Sequence, residues 1–165
     1  MTLRIGYIGL GALGRHLAGS LLRAGFPLTV YDVDASCSVD LGKAGATCAG
    51  SIAETARASD TIITCLPSPE AVASVVAEEG GVLEALAPGG TWIDMSTNDA
   101  HELQRLSSLA AARGIDTLEA PVTGGVHRAA AGMITVLVGG KPEIFEKHQA
   151  ALTLLGPLQL AIERG

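Results

Sequence analysis

The sequence predicts an α/β protein built on an open, mostly parallel sheet with helices on both faces. Two observations predict it: short β-branched or apolar runs alternate with amphipathic stretches along the whole chain, and a glycine-rich turn joins the first run to the first helix. Composition agrees. Of 165 residues, 48% are apolar and 17% charged, enough for one ordinary core, and 3% aromatics with 21 glycines suit close helix-on-sheet packing. The expected organisation is one domain over residues 1–156 and a C-terminal tail over 157–165.

The opening unit is the most informative. The run Leu3 to Ile8 reads as a strand and is followed directly by Gly9-Leu10-Gly11-Ala12-Leu13-Gly14. A pyrophosphate needs backbone N–H groups that no Cβ obstructs. Gly9 suits the tight turn, Gly11 the approach of the phosphates, and Gly14 the packing of the next helix on the sheet. In that helix Leu13, Leu17 and Leu21 recur at i, i+4 and i+8, and Gly25 and Pro27 end it. Leu28-Thr29-Val30-Tyr31 is the second strand, closed by Asp32 about 20 residues after the glycines. A carboxylate there accepts from the ribose hydroxyls of an adenosine. No Arg or Lys lies between Phe26 and Gly42 to offset a 2′-phosphate, so the cofactor expected is NAD rather than NADP.

Further along, Val39–Lys43 reads as a short polar helix, Gly45–Cys48 as a brief strand, and Ser51 with Glu54 as a capping box for a helix to about Arg57. Thr61–Leu66 is nearly continuous and β-branched, as in a strand covered on both faces, and Pro67-Ser68-Pro69 ends it. A helix follows from Glu70 to about Glu78 with Val72, Val75 and Val76 on one side, and Val82–Leu86 adds a turn. Thr91–Asp94 is a strand, and Asp99 with Glu102 caps a helix to about Arg113 that turns Leu103, Leu106 and Ala110 inward. Thr117–Ala120 and Ile134–Val138 are the later strands. A final helix spans about Pro142 to Leu155, with Ile144, Phe145, His148 and Leu152 near one face.

Ligands of such sheets lie outside the carboxyl ends of the strands. Those ends are Gly9–Gly14, Asp32, Leu66-Pro67, Ser96-Thr97 and Thr123–Gly125, where small, hydroxylated and glycine residues gather. Thr97 fits a bond to the nicotinamide side and Ser96 one to a substrate oxygen, or both simply start the next helix. Thr123-Gly124-Gly125 fits a nest for a carboxylate, or a plain turn. His127-Arg128 fits a base with a carboxylate clamp, or a solvated helix start; His16 fits a phosphate neighbour, or a helix surface.

The charge balance narrows the partners. With 17 acidic against 11 basic residues the net charge is −6, and no basic block occurs, which argues against nucleic acid and anionic membranes. Cys37, Cys48 and Cys65 form no C-x-x-C pair and read as reduced thiols of a cytoplasmic protein without a metal site. The glycines and Arg15-His16 break the apolar start, which disfavours a signal peptide, and no run suits a membrane span.

Four segments, in order, carry a resemblance: Gly9–Gly14, Cys65-Leu66-Pro67, Asp94-Met95-Ser96-Thr97, and Ala120-Pro121-Val122-Thr123-Gly124-Gly125 with Ala131-Gly132 after it. Together they resemble the β-hydroxyacid dehydrogenases of the 3-hydroxyisobutyrate dehydrogenase and tartronate semialdehyde reductase type. The resemblance implies a Rossmann-type doubly wound domain. Leu66, Pro67 and Thr97 would line the NAD site, and Ser96, Thr123, Gly124 and Gly125 would border a small 3-hydroxy acid. Leu13 replaces the family's usual methionine and Ala100 a common proline, while Thr123 replaces a serine, keeping the hydroxyl and adding a methyl that would narrow the pocket.

The resemblance also implies a second, all-helical domain whose start carries a catalytic lysine, and a homo-oligomeric full-length enzyme. No lysine follows Lys147 in this sequence. The expected function is therefore hydride transfer between NAD and a small 3-hydroxy acid, with this chain as the cofactor-binding part, truncated and poorly active alone. The alternatives are a non-catalytic NAD-binding or sensing module and an empty scaffold.

Overall fold

The computed structural model describes residues 2–162. In chain order the elements are β1 (Ile5–Ile8), α1 (Gly14–Arg23), β2 (Leu28–Tyr31), a 3₁₀ turn (Ala35–Ser38), α2 (Val39–Lys43), β3 (Thr47–Cys48), α3 (Ile52–Arg57) and β4 (Thr61–Thr64). Then come α4 (Pro69–Ala77), α5 (Val82–Ala85), β5 (Thr91–Asp94), α6 (Ala100–Ala112), β6 (Asp116–Glu119), β7 (Val122–Thr123), α7 (Gly125–Ala130), β8 (Thr135–Gly140), α8 (Pro142–Thr153) and β9 (Leu158–Ile162).

The helix starts follow their capping residues. Ser51 accepts from the Glu54 N–H, Ser68 from Ala71 N–H with Pro69 in the first turn, and Asp99 from Glu102 N–H. The Asp99 box is half closed. Glu102 turns its carboxylate to Arg105 at 2.6 Å, and the Asp99 N–H donates to Asn98 instead.

Strands β3, β2, β1, β4, β5 and β6 lie side by side and parallel. Beyond them the sheet changes direction. β6 pairs antiparallel with the end of β8 (Leu118↔Gly140, Glu119↔Gly139) and β7 with its start (Val122↔Val136, Thr123↔Thr135), while Leu137 N–H donates to Pro121 O between them. β6 and β7 are thus one strand bent at Ala120-Pro121. β9 takes the opposite edge of β8 and runs parallel to it, from Val136↔Leu158 to Gly140↔Ile162.

The segment 157–165, expected to be a tail, therefore supplies a sheet strand over Leu158–Ile162; residues 163–165 lie outside the described residues. Gly156-Pro157 resembles a terminus in sequence, yet Pro157 O accepts from Val136 N–H and starts the ladder.

Two apolar layers sandwich the sheet. Leu17 and Leu21 of α1, Ala129 of α7 and Phe145 and Leu152 of α8 pack with Tyr7, Ile63 and Val136 on one face. Val72 and Val76 of α4 and Leu103 and Leu106 of α6 pack with Ile62 and Trp92 on the other. Val75 of the predicted α4 stripe is only half-buried and serves a cleft instead.

His148 ties α8 to β4. It is 1% exposed, with Nδ1 2.9 Å from Ile144 O and Nε2 2.9 Å from Thr61 Oγ1. Nδ1–H must donate to the carbonyl, and in the neutral ring Nε2 then accepts from the Thr61 hydroxyl. Burial pushes its pKa below the ordinary 6.5, opposed by the Ile144 carbonyl. The unfolded chain then binds the proton first, so stability is complete above pH about 6.5 and falls as pH drops below it. Urea midpoints measured from pH 7 to pH 5, above the range of carboxylate titration, should decline in the wild type and decline less in His148→Met.

Candidate functional site

The parallel strands end in step, because the register pairs Ile8 with Tyr31 and Thr64, Thr64 with Asp94, and Asp94 with Glu119. Gly9, Asp32, Cys65, Met95 and Ala120 consequently emerge along one rim. The ladder runs one residue further there: Gly9 N–H donates to Tyr31 O, Cys65 to Ile8 O, Met95 to Thr64 O and Ala120 to Asp94 O.

The glycine loop sits at the middle of this rim, and its glycines have separate reasons. Gly9 takes φ +102°, and a Cβ on it would stand 2.2 Å from Cys65 O. A Cβ on Gly14 would stand 2.0 Å from Gly9 O. Both are therefore required by the protein's own packing. Gly11 is not: a Cβ there meets nothing within 4 Å. Its bare backbone faces open space, as a backbone does that must leave room for a ligand.

Asp32 locks the loop to β2. Its Oδ2 accepts from Leu10 N–H at 2.7 Å and its Oδ1 from Asp34 N–H at 2.9 Å. Each carboxylate oxygen keeps a further lone pair for an outside donor. Asp34 in turn accepts from the Ser36 N–H and hydroxyl, which hold its carboxyl below the usual range.

A cleft of about 630 Å³ opens beside these groups. Gly9, Gly11, Ala12, Leu13, Gly14, Asp32, Leu66 and Pro67 line it, eight of the ten residues expected at a cofactor. Leu10 is buried and contributes its N–H to Asp32, and Thr97 is exposed on the rim outside the cleft. Sequence reasoning missed Val33, Ala71, Ser74 and Val75, which make the cleft's outer walls. Val33 is 90% exposed between two aspartates, and an apolar side chain in such a polar turn was the available signal. Cys65 also lines the cleft; burial pushes its thiol up to about 11, so it stays protonated near neutral pH.

The β5 exit is organised by Asp94, which is buried. Its Oδ1 accepts from Thr64 Oγ1 and Ser96 N–H, both at 3.0 Å, and its Oδ2 from Asn98 at 3.1 Å. Trp92 Nε1–H donates to Thr64 Oγ1 at 2.9 Å and completes the chain. Ser96 and Thr97 do not start the next helix, since Asp99 is the cap. Instead Ser96 Oγ accepts from Leu66 N–H at 2.8 Å, joining the exits of β4 and β5, and its own O–H remains a donor. Thr123, Gly124 and Gly125 are exposed where β7 meets α7, and α7 packs on α1. His16 and Arg15 line a second cleft of about 460 Å³ between α1 and α2 rather than the first.

Residues 4–162 match the family described as the NAD-binding domain of 6-phosphogluconate dehydrogenase. The chain belongs to that family. It is 36% identical over 155 residues to 2-(hydroxymethyl)glutarate dehydrogenase of Eubacterium barkeri, covering 94% of this chain and 52% of that protein. It is 35% identical over 153 residues to the NAD-dependent L-serine dehydrogenase of Pseudomonas aeruginosa, covering 93% and 51%. Among solved structures, the Mycobacterium tuberculosis 3-hydroxyisobutyrate dehydrogenase with L-serine superposes with a TM-score of 0.89 at 27% identity, over 98% of this chain and 55% of that one. The chain spans about half the length of the curated relatives it matches, and that half is their NAD-binding, Rossmann-like domain. No helix among the described residues is long and apolar enough to cross a membrane.

In this NAD-binding domain the glycines separate by substitution. Gly14→Ala should lower stability by about 1–3 kcal/mol, as overpacking against backbone does. Gly11→Ala should stay within about 0.5 kcal/mol of wild type. Urea denaturation of the two variants measures both.

Proposed function

We propose that this chain is the cofactor-binding part of an NAD-dependent 3-hydroxy acid dehydrogenase. The observation that carries the reading is the pairing of Gly11, open for no reason internal to the protein, with Asp32, fixed by two backbone N–H groups at the facing strand end. Bound NAD supplies the hydride donor or acceptor of the reaction. The residues of the chain then have distinct tasks. Within the Gly9–Gly14 loop the Gly9 and Leu10 N–H groups are taken by Tyr31 O and Asp32, so the N–H groups from Gly11 onward hold the pyrophosphate, and Asp32 accepts from the adenosine ribose. Val33, Leu66, Ala71 and Val75 enclose the adenine, with Pro67 and Thr97 toward the nicotinamide.

Discrimination against a 2′-phosphate rests on Asp32 and Asp34 together. Arg15 acts at Cys37, whose thiol is raised by burial and by both aspartates and lowered by that guanidinium. On the substrate side, Ser96 would donate to a substrate oxygen while Thr123-Gly124-Gly125 takes the carboxylate.

The substrates named for the three similar proteins share one head. 3-Hydroxyisobutyrate, L-serine and 2-(hydroxymethyl)glutarate each carry a hydroxymethyl and a carboxylate on one carbon, and we assign that head to this site. The domain is proposed to occupy residues 1–156 together with β9, in a homo-oligomeric full-length enzyme. We assign the general acid–base lysine that the resemblance implies, of about 10²–10⁴-fold effect, to a part of the enzyme other than this NAD-binding domain.

Calorimetry tests the cofactor assignment. Hydrogen bonds to a charged group contribute about 1.5–3 kcal/mol, so Asp32→Asn should weaken NAD by about tenfold or more and shrink the preference over NADP. Equal NAD affinity in the variant and wild type would remove Asp32 from the site.

A further inference from the structure

Thr123-Gly124-Gly125 is followed by a cation, Arg128, whose charged end makes no hydrogen bond or ion pair among the described residues. Gly124 takes φ +132°, and a Cβ on it would come 2.9 Å from Arg128 Cδ and 3.6 Å from Arg128 Cβ. The stem of Arg128 therefore lies across the bare α-carbon of Gly124. An arginine one turn along α7 is free to point anywhere over solvent, but this one folds back onto the loop. A side chain at Gly124 would displace it.

Arg128 is exposed, and among the described residues its guanidinium makes no hydrogen bond and no ion pair. Arg4 and Arg105, by contrast, are each satisfied by a neighbouring carboxylate. α7 is itself anchored, through buried Ala129 and its packing on α1, so the position of Arg128 is fixed relative to the glycine loop. The molecule thus sets an unsatisfied planar donor, in a chain of net charge −6, against the loop that meets the substrate.

The shared hydroxymethyl-carboxylate head leaves one variable group on the same carbon: a methyl in 3-hydroxyisobutyrate, an ammonium in L-serine, a carboxyethyl arm in 2-(hydroxymethyl)glutarate. A methyl leaves a guanidinium unmatched, and an ammonium is repelled by it. A second carboxylate is matched in charge and in bidentate geometry. We propose that Arg128 is a specificity-determining residue that reads a second carboxylate, so that the substrate class of this site is a 3-hydroxy acid bearing a distal anionic arm. This rests on the reading of Thr123–Gly125 as the loop that holds the head.

The test is a nuclear magnetic resonance titration of the ¹⁵N-labelled chain saturated with NADH, using 2-(hydroxymethyl)glutarate, 3-hydroxyisobutyrate and L-serine. The dicarboxylate should bind about tenfold tighter than the monocarboxylate, the size of one charge-assisted hydrogen bond at a half-open site, with L-serine weakest. Arg128→Met should reduce the preference to below about twofold and Arg128→Lys should restore part of it, with NADH affinity as the control for folding. Equal binding of the three acids by wild type, or a preference that survives Arg128→Met, overturns the role of Arg128 and leaves the loop assignment standing. Binding of NADH with no shift at Thr123–Gly125 for any of the three acids overturns the loop assignment and the proposal with it.

Discussion

The register between β1, β2, β4, β5 and β6 is the constraint on which the site depends. Parallel strands present their carboxyl ends on one side only, and here the five ends coincide to the residue. A slip of one position in any strand would turn a rim residue onto the other face of the sheet. It would also break the bonds that carry the ladder past the strands, such as Cys65 N–H to Ile8 O. Strand order reverses between β2 and β4 on either side of β1, so the crevice opens over the glycine loop, where such folds place a ligand.

Two carboxylates convert that alignment into a rigid surface. Asp32 spans the β1 and β2 exits by accepting from Leu10 and Asp34, and Asp94 spans β4 and β5 through Thr64, Ser96 and Asn98. A buried carboxylate is tolerated only when its lone pairs are occupied, which is why Asp94 gathers three donors. Asp94 uses its capacity inward and is structural. Asp32 is half-exposed and has acceptor capacity left on the cleft side, so similar chemistry yields one scaffold residue and one with lone pairs to spare.

How much of this was legible depended on how local the cause was. The glycine loop, Asp32 and the caps at Ser51 and Asp99 act within a few residues or one βαβ unit, and their spacing alone predicted them. The bend that makes β6 and β7 one strand depends on β8, which comes later in the chain, and β9 exists only because β8 offers an edge. The second leaves no strong local pattern in Leu158–Ile162. His148 reads as a core residue of α8, and only the tertiary placement of Thr61 shows that it is a tautomer-locked bridge. Ser96 was visible as a hydroxyl at a strand end, while its bond to Leu66 requires β4 and β5 to be adjacent.

The same logic divides the rim chemically. On the β2 side the groups are fixed by backbone geometry, with bare glycines and N–H groups in set directions, and such a surface recognises what is constant in a ligand. On the β7 side the groups are exposed side chains on a six-residue helix, held through Ala129 and α1. A surface of that kind can change charge without disturbing the sheet. Arg128 stands in that second region, with its stem packed on Gly124 and, among the described residues, no ion pair at its charged end. A sheet rim fixed by backbone geometry thus carries at its edge a short helix whose exposed side chains can vary without disturbing that geometry.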